Sequence, residues 1–336
     1  MLQFILGNSG AGKSHYLYET IIKESMENPG RNYLVIVPEQ FTMQTQQDLC
    51  RMHPNHGIMN IDVLSFGRLA HRIFEEVGQS GAQVLDDEGK NLILRKIAGQ
   101  YEDQLKVLKG NLKKQGYISE VKSVISEFTQ YGIGFEELDH LMEELDPESF
   151  LYYKLSDIRM VYEGFEQFLA DKYVTKEELL DVLRQNVAKS QLLKDSVIAL
   201  DGFTGFTPVQ NRLLGELMGY CLDMFVTVVM DSREDAFRYT HPYQLFALSK
   251  QMVTSLVQIA GERKVEIADP VCVYNRPIYR FRNNPELGFL EEELFRYSRK
   301  QYPKETKKLS VYVAGNPGME ARLTAQNIRK MVREHG

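Results

Sequence analysis

The stretch "FILGNSGAGKSHYLYETII", residues 4–22, constrains the fold more than any other part of the chain. It runs from an apolar strand-like segment through a glycine-rich turn directly into residues with helical spacing at Leu17, Ile21 and Ile22. Gly7, Asn8, Ser9, Gly10, Ala11, Gly12, Lys13 and Ser14 fit the spacing G-x-x-x-x-G-K-[ST]. Glycines at these positions let backbone N–H groups curl around phosphate oxygens, and the following helix aims its N-terminus at them. In that chemistry Lys13 reaches the β- and γ-phosphates and Ser14 ligates Mg²⁺, so ATP with Mg²⁺ is the expected ligand. A chance Gly/Ser turn is the bland alternative. The strand before it and the helix after it argue against that.

The rest of the chain extends the pattern. "YLVIV", residues 33–37, and "NIDVLS", residues 60–65, read as buried strands, and "FGRLAHRIFEEVG" as the helix after the second. Alternation of strand and helix is the signature of a parallel α/β sheet. From residue 79 to residue 190 the strand signals stop and amphipathic helices follow one another, which predicts an all-helical insertion. One of them opens on a Thr175/Glu178 capping box. Strands resume at "SVIALDG" and "MFVTVVMDS", with Thr207 and Pro208 opening a helix between them and another helix expected over residues 243–260. Residues 306–336 read as one more strand and helix. A single such pair cannot bury its own apolar faces, so it is expected to open a further domain. The expected organisation is therefore a sheet domain from residues 1–78 and 191–305, an insertion over 79–190, and the start of a second domain at 306.

Composition excludes several classes. With 40 Lys and Arg against 46 Asp and Glu, the net charge of −6 is unsuited to wholesale wrapping of nucleic acid, so any DNA contact must be local. Cys50, Cys221 and Cys272 lie far apart without metal-ligand spacing and read as buried or half-buried thiols. No apolar run approaches the ~20 residues of a membrane span, and a cytoplasmic location with no membrane contact is expected.

Two groups of residues carry candidate chemistry. Asp201 ends the apolar run "VIALD", where a nucleotide-binding sheet keeps the carboxylate that holds Mg²⁺ through water. The next position, where a motor ATPase places a second carboxylate to polarise water, is Gly202. Binding without efficient turnover is the expectation, and no catalytic residue is assigned. The second group lies at strand ends: Gln40, Thr42 and Gln44 in "VPEQFTMQTQQ", Phe66, Arg68 and His71 in "LSFGRLAHR", and Phe203 and Phe206 in "DGFTGFT". Ligands bind beyond the carboxyl ends of parallel strands. Aromatic faces with amide and guanidinium donors beside them suit single-stranded DNA. The bland reading keeps Phe66 and Phe206 in the core. A stand-alone ATPase or small-molecule kinase, and a structural module with a vestigial loop, remain the alternatives.

With these residues assembled the chain resembles the N-terminal part of the AddB (RexB) family. The resemblance rests on "GNSGAGKS", "VPEQFTMQTQQ", "VLSFGRLAHRIFEEVG", "LDGFTGFTPVQ" and "VYVAGNPGMEARLTAQNIRKMV", and it runs along the whole chain. It implies a superfamily-1 helicase-like P-loop fold, pairing with an AddA-type helicase–nuclease subunit, and action on single- and double-stranded DNA in break resection and Chi recognition. By the same resemblance Lys13, Ser14 and Asp201 belong to the nucleotide site, and Gln40, Thr42, Phe66 and Arg68 to motifs facing single-stranded DNA. The nuclease and iron–sulfur cluster that the family carries are expected outside these residues. Gly202 departs from a motor's glutamate and fits a subunit that is not the motor.

Overall fold

The opening apolar run forms β1 (Leu2–Gly7) in the computed structural model, which describes residues 1–78, 83–170 and 173–335. The chain continues through α1 (Lys13–Glu27), β2 (Tyr33–Ile36), a 3₁₀ turn (Glu39–Phe41), α2 (Thr42–Met52), β3 (Ile61–Leu64) and α3 (Phe66–Glu76). Next come β4 (Gln83–Leu85), α4 (Asp87–Gln100), α5 (Gln115–Tyr131), α6 (Phe135–Glu143), α7 (Phe150–Leu169), β5 (Tyr173–Thr175) and α8 (Glu178–Asn186). Then follow β6 (Val197–Leu200), α9 (Pro208–Tyr220), β7 (Asp223–Val229), α10 (Ala247–Arg263) and β8 (Val271–Cys272). These elements lie in one compact unit, Met1–Tyr274. A second unit, Asn275–Gly336, contains α11 (Pro285–Glu293) and α12 (Pro317–His335).

The main sheet has six strands in the order β3-β2-β6-β7-β1-β8, all parallel. Parallel strands covered on both faces need apolar residues at nearly every position, which is why "YLVI" and "VIAL" read as unbroken apolar runs. On one face Phe4, Leu34, Ile36, Leu200 and Val226 pack with Leu69 and Ile73 of α3, Leu183 of α8, Leu213 of α9 and Val253 of α10. On the other, Ile5, Val35 and Val197 pack with Leu17 and Ile21 of α1 and Leu49 of α2.

A separate core holds α4 to α7 together, through residues such as Leu94, Ile97, Val121, Ile125, Leu138, Val161 and Phe165. Asp157 of α7 is buried there, and its carboxylate accepts the backbone N–H groups of Lys106, Val107 and Leu108. Helix α8 falls inside residues 79–190 but buries Leu179 and Leu183 in the sheet's core, so the insertion's own packing ends before it. The Thr175/Glu178 box forms reciprocally: the Thr175 N–H donates to the Glu178 carboxylate at 2.8 Å, and the Glu178 N–H to Thr175 Oγ1 at 3.3 Å. Residues 79–82, where the insertion is expected to begin, and 171–172, at the end of its long helix, lie outside the described residues.

The structure corrects several expectations. The insertion is not wholly helical, because β4 and β5 pair in parallel as a small two-stranded sheet. Each has three residues, too few for a periodic signal. The strand expected at the start of residues 306–336 does not form, since residues 309–314 belong to no strand or helix, and Val311, Tyr312 and Val313 there are exposed. The helix expected at 243–260 starts at Ala247 and runs past Gly261 to Arg263, ending on Lys264 in the left-handed region. The polar segment after β2, placed only at a strand end by the sequence, forms a 3₁₀ turn and the helix α2. Cys50 and Cys221 are half-buried as expected, but Cys272 is exposed.

Candidate functional site

Two glycines give the turn after β1 its shape. Gly10 and Gly12 have φ of 79° and 104°, conformations that cost a glycine little and an L side chain much more. Between them the Ala11 N–H donates to the Asn8 carbonyl at 3.1 Å, and the Tyr16 N–H then closes the first turn of α1 on the Gly12 carbonyl at 2.9 Å. Gly7 meets a different constraint, since a Cβ there would strike the backbone carbonyl of Val273 just after β8. Lys13 is nearly buried and lays its ammonium across the turn, donating to the Asn8 carbonyl at 3.0 Å.

Asp201 lies at the carboxyl end of β6, its N–H fixed on the Ile36 carbonyl at 3.0 Å. The side chain is only 6% exposed, a cost that its hydrogen bonds offset. Oδ1 accepts from Ser14 Oγ at 3.0 Å and from Thr227 Oγ1 at 2.6 Å, and Oδ2 accepts from the Tyr18 hydroxyl at 2.7 Å. The Tyr18 hydroxyl is also 3.3 Å from Thr45 Oγ1 of α2. Burial, and then the neighbouring Asp201 carboxylate, push the Tyr18 hydroxyl far above the ordinary tyrosine range, so it acts as a neutral donor. Hard oxygen donors of this kind suit Mg²⁺. Ser14 and Asp201 are the residues that would hold it, with Lys13 and the turn's N–H groups for phosphate.

Gly202 follows with φ of 80°. A Cβ there would sit 3.6 Å from Pro38 Cδ and 3.9 Å from Phe41 Cδ2, so the backbone conformation, rather than lack of space, favours glycine. Sequence reasoning passed over Tyr18, Thr45 and Thr227. A hydroxyl inside the apolar run "FVTVV" was the available signal for Thr227. It also passed over Asp231, which is almost fully buried and paired with Arg233 at 2.9 and 2.7 Å. Asp231 ends an apolar strand as Asp201 does, and the Met230 N–H before it donates to the Gly7 carbonyl at 3.0 Å.

The second group of residues comes together along one edge, because β3, β2 and β6 are neighbouring parallel strands and each contributes the segment after its carboxyl end. Gln40 and Gln44 are exposed, the latter donating to Asp48 at 2.9 Å. Thr42 is buried and donates to the Glu39 carbonyl at 3.0 Å, holding the 3₁₀ turn rather than facing outward. Ser65 caps α3 through the Arg68 N–H at 3.3 Å, and this leaves the side chains of Arg68 and His71 exposed on consecutive turns. Phe66 is buried, with its ring 5.6 Å from Phe203 and 6.3 Å from Phe206, and those two are 5.0 Å apart. The three aromatics therefore pack on one another, and the half-buried Phe203 and Phe206 carry the accessible ring surface. Beside Phe206 a cleft of about 360 Å³ is lined by Tyr131, Thr204, Asn211 and Gln251 among others.

Among the described residues no group of three or more His, Cys, Asp and Glu side chains is placed to hold a metal ion. No helix among those residues is long and apolar enough to cross a membrane.

Residues 4–291 match the family described as "ADDB, N-terminal". Similar proteins include one from Lachnoclostridium phytofermentans, 44% identical over 99% of this chain, and one from Clostridium kluyveri, 33% identical over 99%. Another, from a Thermoanaerobacter species, is 32% identical over 99% of the chain. All three are named as subunits of an ATP-dependent helicase/deoxyribonuclease. The chain spans 29% of the length of each of these relatives.

Proposed function

Because this chain belongs to the AddB N-terminal family, we propose that it is the nucleotide- and single-strand-binding part of a subunit of an ATP-dependent helicase/deoxyribonuclease complex. In this reading the six-stranded unit is a P-loop NTPase domain of the superfamily-1 helicase kind. It works beside an AddA-type partner on DNA at double-strand breaks and contributes to Chi recognition without being the motor. The exonuclease and its iron–sulfur cluster lie in other parts of the longer protein. Residues 306–336, with α12, open a second helicase-like domain.

The observation that carries the nucleotide reading is the 3.0 Å bond from Ser14 Oγ to Asp201 across two elements, with Lys13 on the adjoining turn. A serine hydroxyl that donates to a buried carboxylate has its lone pairs directed away from that carboxylate, toward a cation. Bound there, Mg²⁺ would neutralise phosphate charge. The chain's own residues then do the binding: Lys13 answers phosphate charge, the turn's N–H groups surround its oxygens, and Asp201 orients Ser14. Gly202 has no side chain with which to polarise an attacking water, so the nucleotide is held far longer than it is hydrolysed. The exposed Gln40, Gln44, Arg68 and His71, with the rings of Phe203 and Phe206, supply donors and stacking surface for a single strand.

Calorimetry with Mg·ATP tests the nucleotide reading. Wild type should bind and Lys13→Ala should not. A DNA-stimulated turnover above a few per second, within the usual range for enzymes, would replace it with an active ATPase.

A further inference from the structure

We propose that Tyr18 and Thr45 form a hydroxyl relay through which Mg·ATP at Ser14 and Asp201 sets the position of α2 and of the turn that carries Gln40. The proposal rests on the nucleotide reading above and adds a regulatory connection to it.

The direction of the relay follows from counting protons. A tyrosine hydroxyl has one proton, and at 2.7 Å from an anionic carboxylate oxygen that proton goes to Asp201 Oδ2. Thr45 Oγ1, 3.3 Å from the same tyrosine oxygen, must then donate its own. The chain of donors therefore runs from Thr45 to Tyr18 to Asp201. Both intermediate side chains are buried, 5% exposed for Thr45 and 6% for Tyr18, so water does not replace either bond readily.

Asp201 accepts three hydrogen bonds at its end of the relay. Ser14 and Thr227 occupy Oδ1 while Tyr18 occupies Oδ2, so a reorientation of the carboxylate toward a cation at Ser14 alters the Tyr18 bond as well. At the other end Thr45 is one turn along α2 from Thr42, and with Leu49 they form the buried face of that helix. Thr42 in turn holds the Glu39 carbonyl at 3.0 Å and so fixes the Glu39–Phe41 turn. An apolar residue at position 45 would give α2 the same packing face. The hydroxyl supplies what packing does not, a polar link from that face to the Mg²⁺ carboxylate.

Hydrogen exchange on the full chain, with and without Mg·ATP, reads the relay directly. In wild type the amides of α2 and of the Glu39–Phe41 turn should slow by about fivefold or more when Mg·ATP binds, since ordering a segment lowers its local opening. Tyr18→Phe and Thr45→Val keep shape and volume, and both should lose that response. They should still bind Mg·ATP, no more than about tenfold more weakly by calorimetry, the scale of one hydrogen bond to a charged group. Thr45→Ser, which keeps the hydroxyl, should keep the response. Wild-type protection of α2 by nucleotide in both apolar variants would overturn the relay. So would a change in exchange that is equal with and without nucleotide, which marks a purely structural hydroxyl. Wild type that binds Mg·ATP with no effect on α2 overturns the relay alone, whereas wild type that binds no Mg·ATP overturns the nucleotide reading and the relay with it.

Discussion

Asp201 and Gly202 are adjacent and answer to different constraints. The apolar run that ends in Asp201 made its place at a strand end legible, and Ser14 was legible from the glycine-rich turn, but the sequence did not show that Tyr18, one turn further along α1, and Thr227 of β7 would meet the same carboxylate. At position 202 the residue type was legible and its physical reason was not. With φ of 80°, an L side chain costs about 1–2 kcal/mol, so Gly202→Glu should lower the melting temperature by a few degrees without creating an ATPase. Calorimetry and phosphate release check the two halves, and a tenfold gain in turnover would show that the missing carboxylate alone silences the site. Glu166 of α7 gives a second prediction. Burial, and then the nearby Glu178, raise its carboxyl to about 7. A carboxyl raised in the folded state favours folding in its protonated form. Stability therefore falls as pH rises from the unfolded value of about 4.5 toward 7, and stays lower above that. Glu166→Gln should be neutral near pH 4 and should stabilise the chain at pH 8 by on the order of 1 kcal/mol, allowing for partial solvent screening. Denaturant melts at both pH values measure this, and an equal effect at each would contradict it.

Elements were legible where one apolar period dominated. The runs "LQFIL", "YLVI" and "VIAL" became strands, and the expected Thr207–Pro208 opening of α9 is there, with a capping box in which Thr207 and Gln210 exchange bonds of 2.9 and 3.3 Å. Helix α2 was missed because its buried face is Thr42, Thr45 and Leu49, with threonines where the pattern looks for leucine. Strand β8 was missed because its two residues are too few to show a pattern. The start of α3 was read ambiguously, and the structure separates its two roles. Phe66 lies in the core and Arg68 outside it, so the same type of substitution should act differently at each. Phe66→Ala should cost about 3–4 kcal/mol of stability, the usual toll for a buried aromatic. Arg68→Ala should leave stability within about 0.5 kcal/mol and weaken single-strand binding. Denaturant unfolding combined with a fluorescence binding titration distinguishes them. Loss of DNA binding by Phe66→Ala with full stability would place that ring on the binding surface.

At the scale of the molecule, the two units differ in how well their apolar residues are covered. The Met1–Tyr274 unit buries both faces of its sheet, and its insertion has a core of its own. In the Asn275–Gly336 unit, Val311 and Val313 are 84% and 95% exposed, and Met319, Ile328, Met331 and Val332 of α12 leave an apolar face in water. A sequence periodicity predicts which residues want burial but not which partner supplies it, and for this reason the helix at 317–335 was legible while the strand expected before it does not form. The relatives are more than three times as long as this chain, each matched over 29% of its length. If residues 306–336 begin a second helicase-like domain, as proposed, the missing neighbours are further strands and helices of that domain. Backbone that belongs to no helix or strand exchanges its amide hydrogens at nearly the free-chain rate, whereas an interior parallel strand opens only with its sheet. Amides 310–314 should therefore exchange within seconds in the 336-residue chain. In a polypeptide of the relatives' full length they should slow by at least about a hundredfold, the effect of only ~2.7 kcal/mol of protection. The same experiment should find Val35 and Ala199, inside the first sheet, equally slow in both lengths. Fast exchange at 310–314 in the longer polypeptide would refute the second-domain reading and assign the segment to a linker.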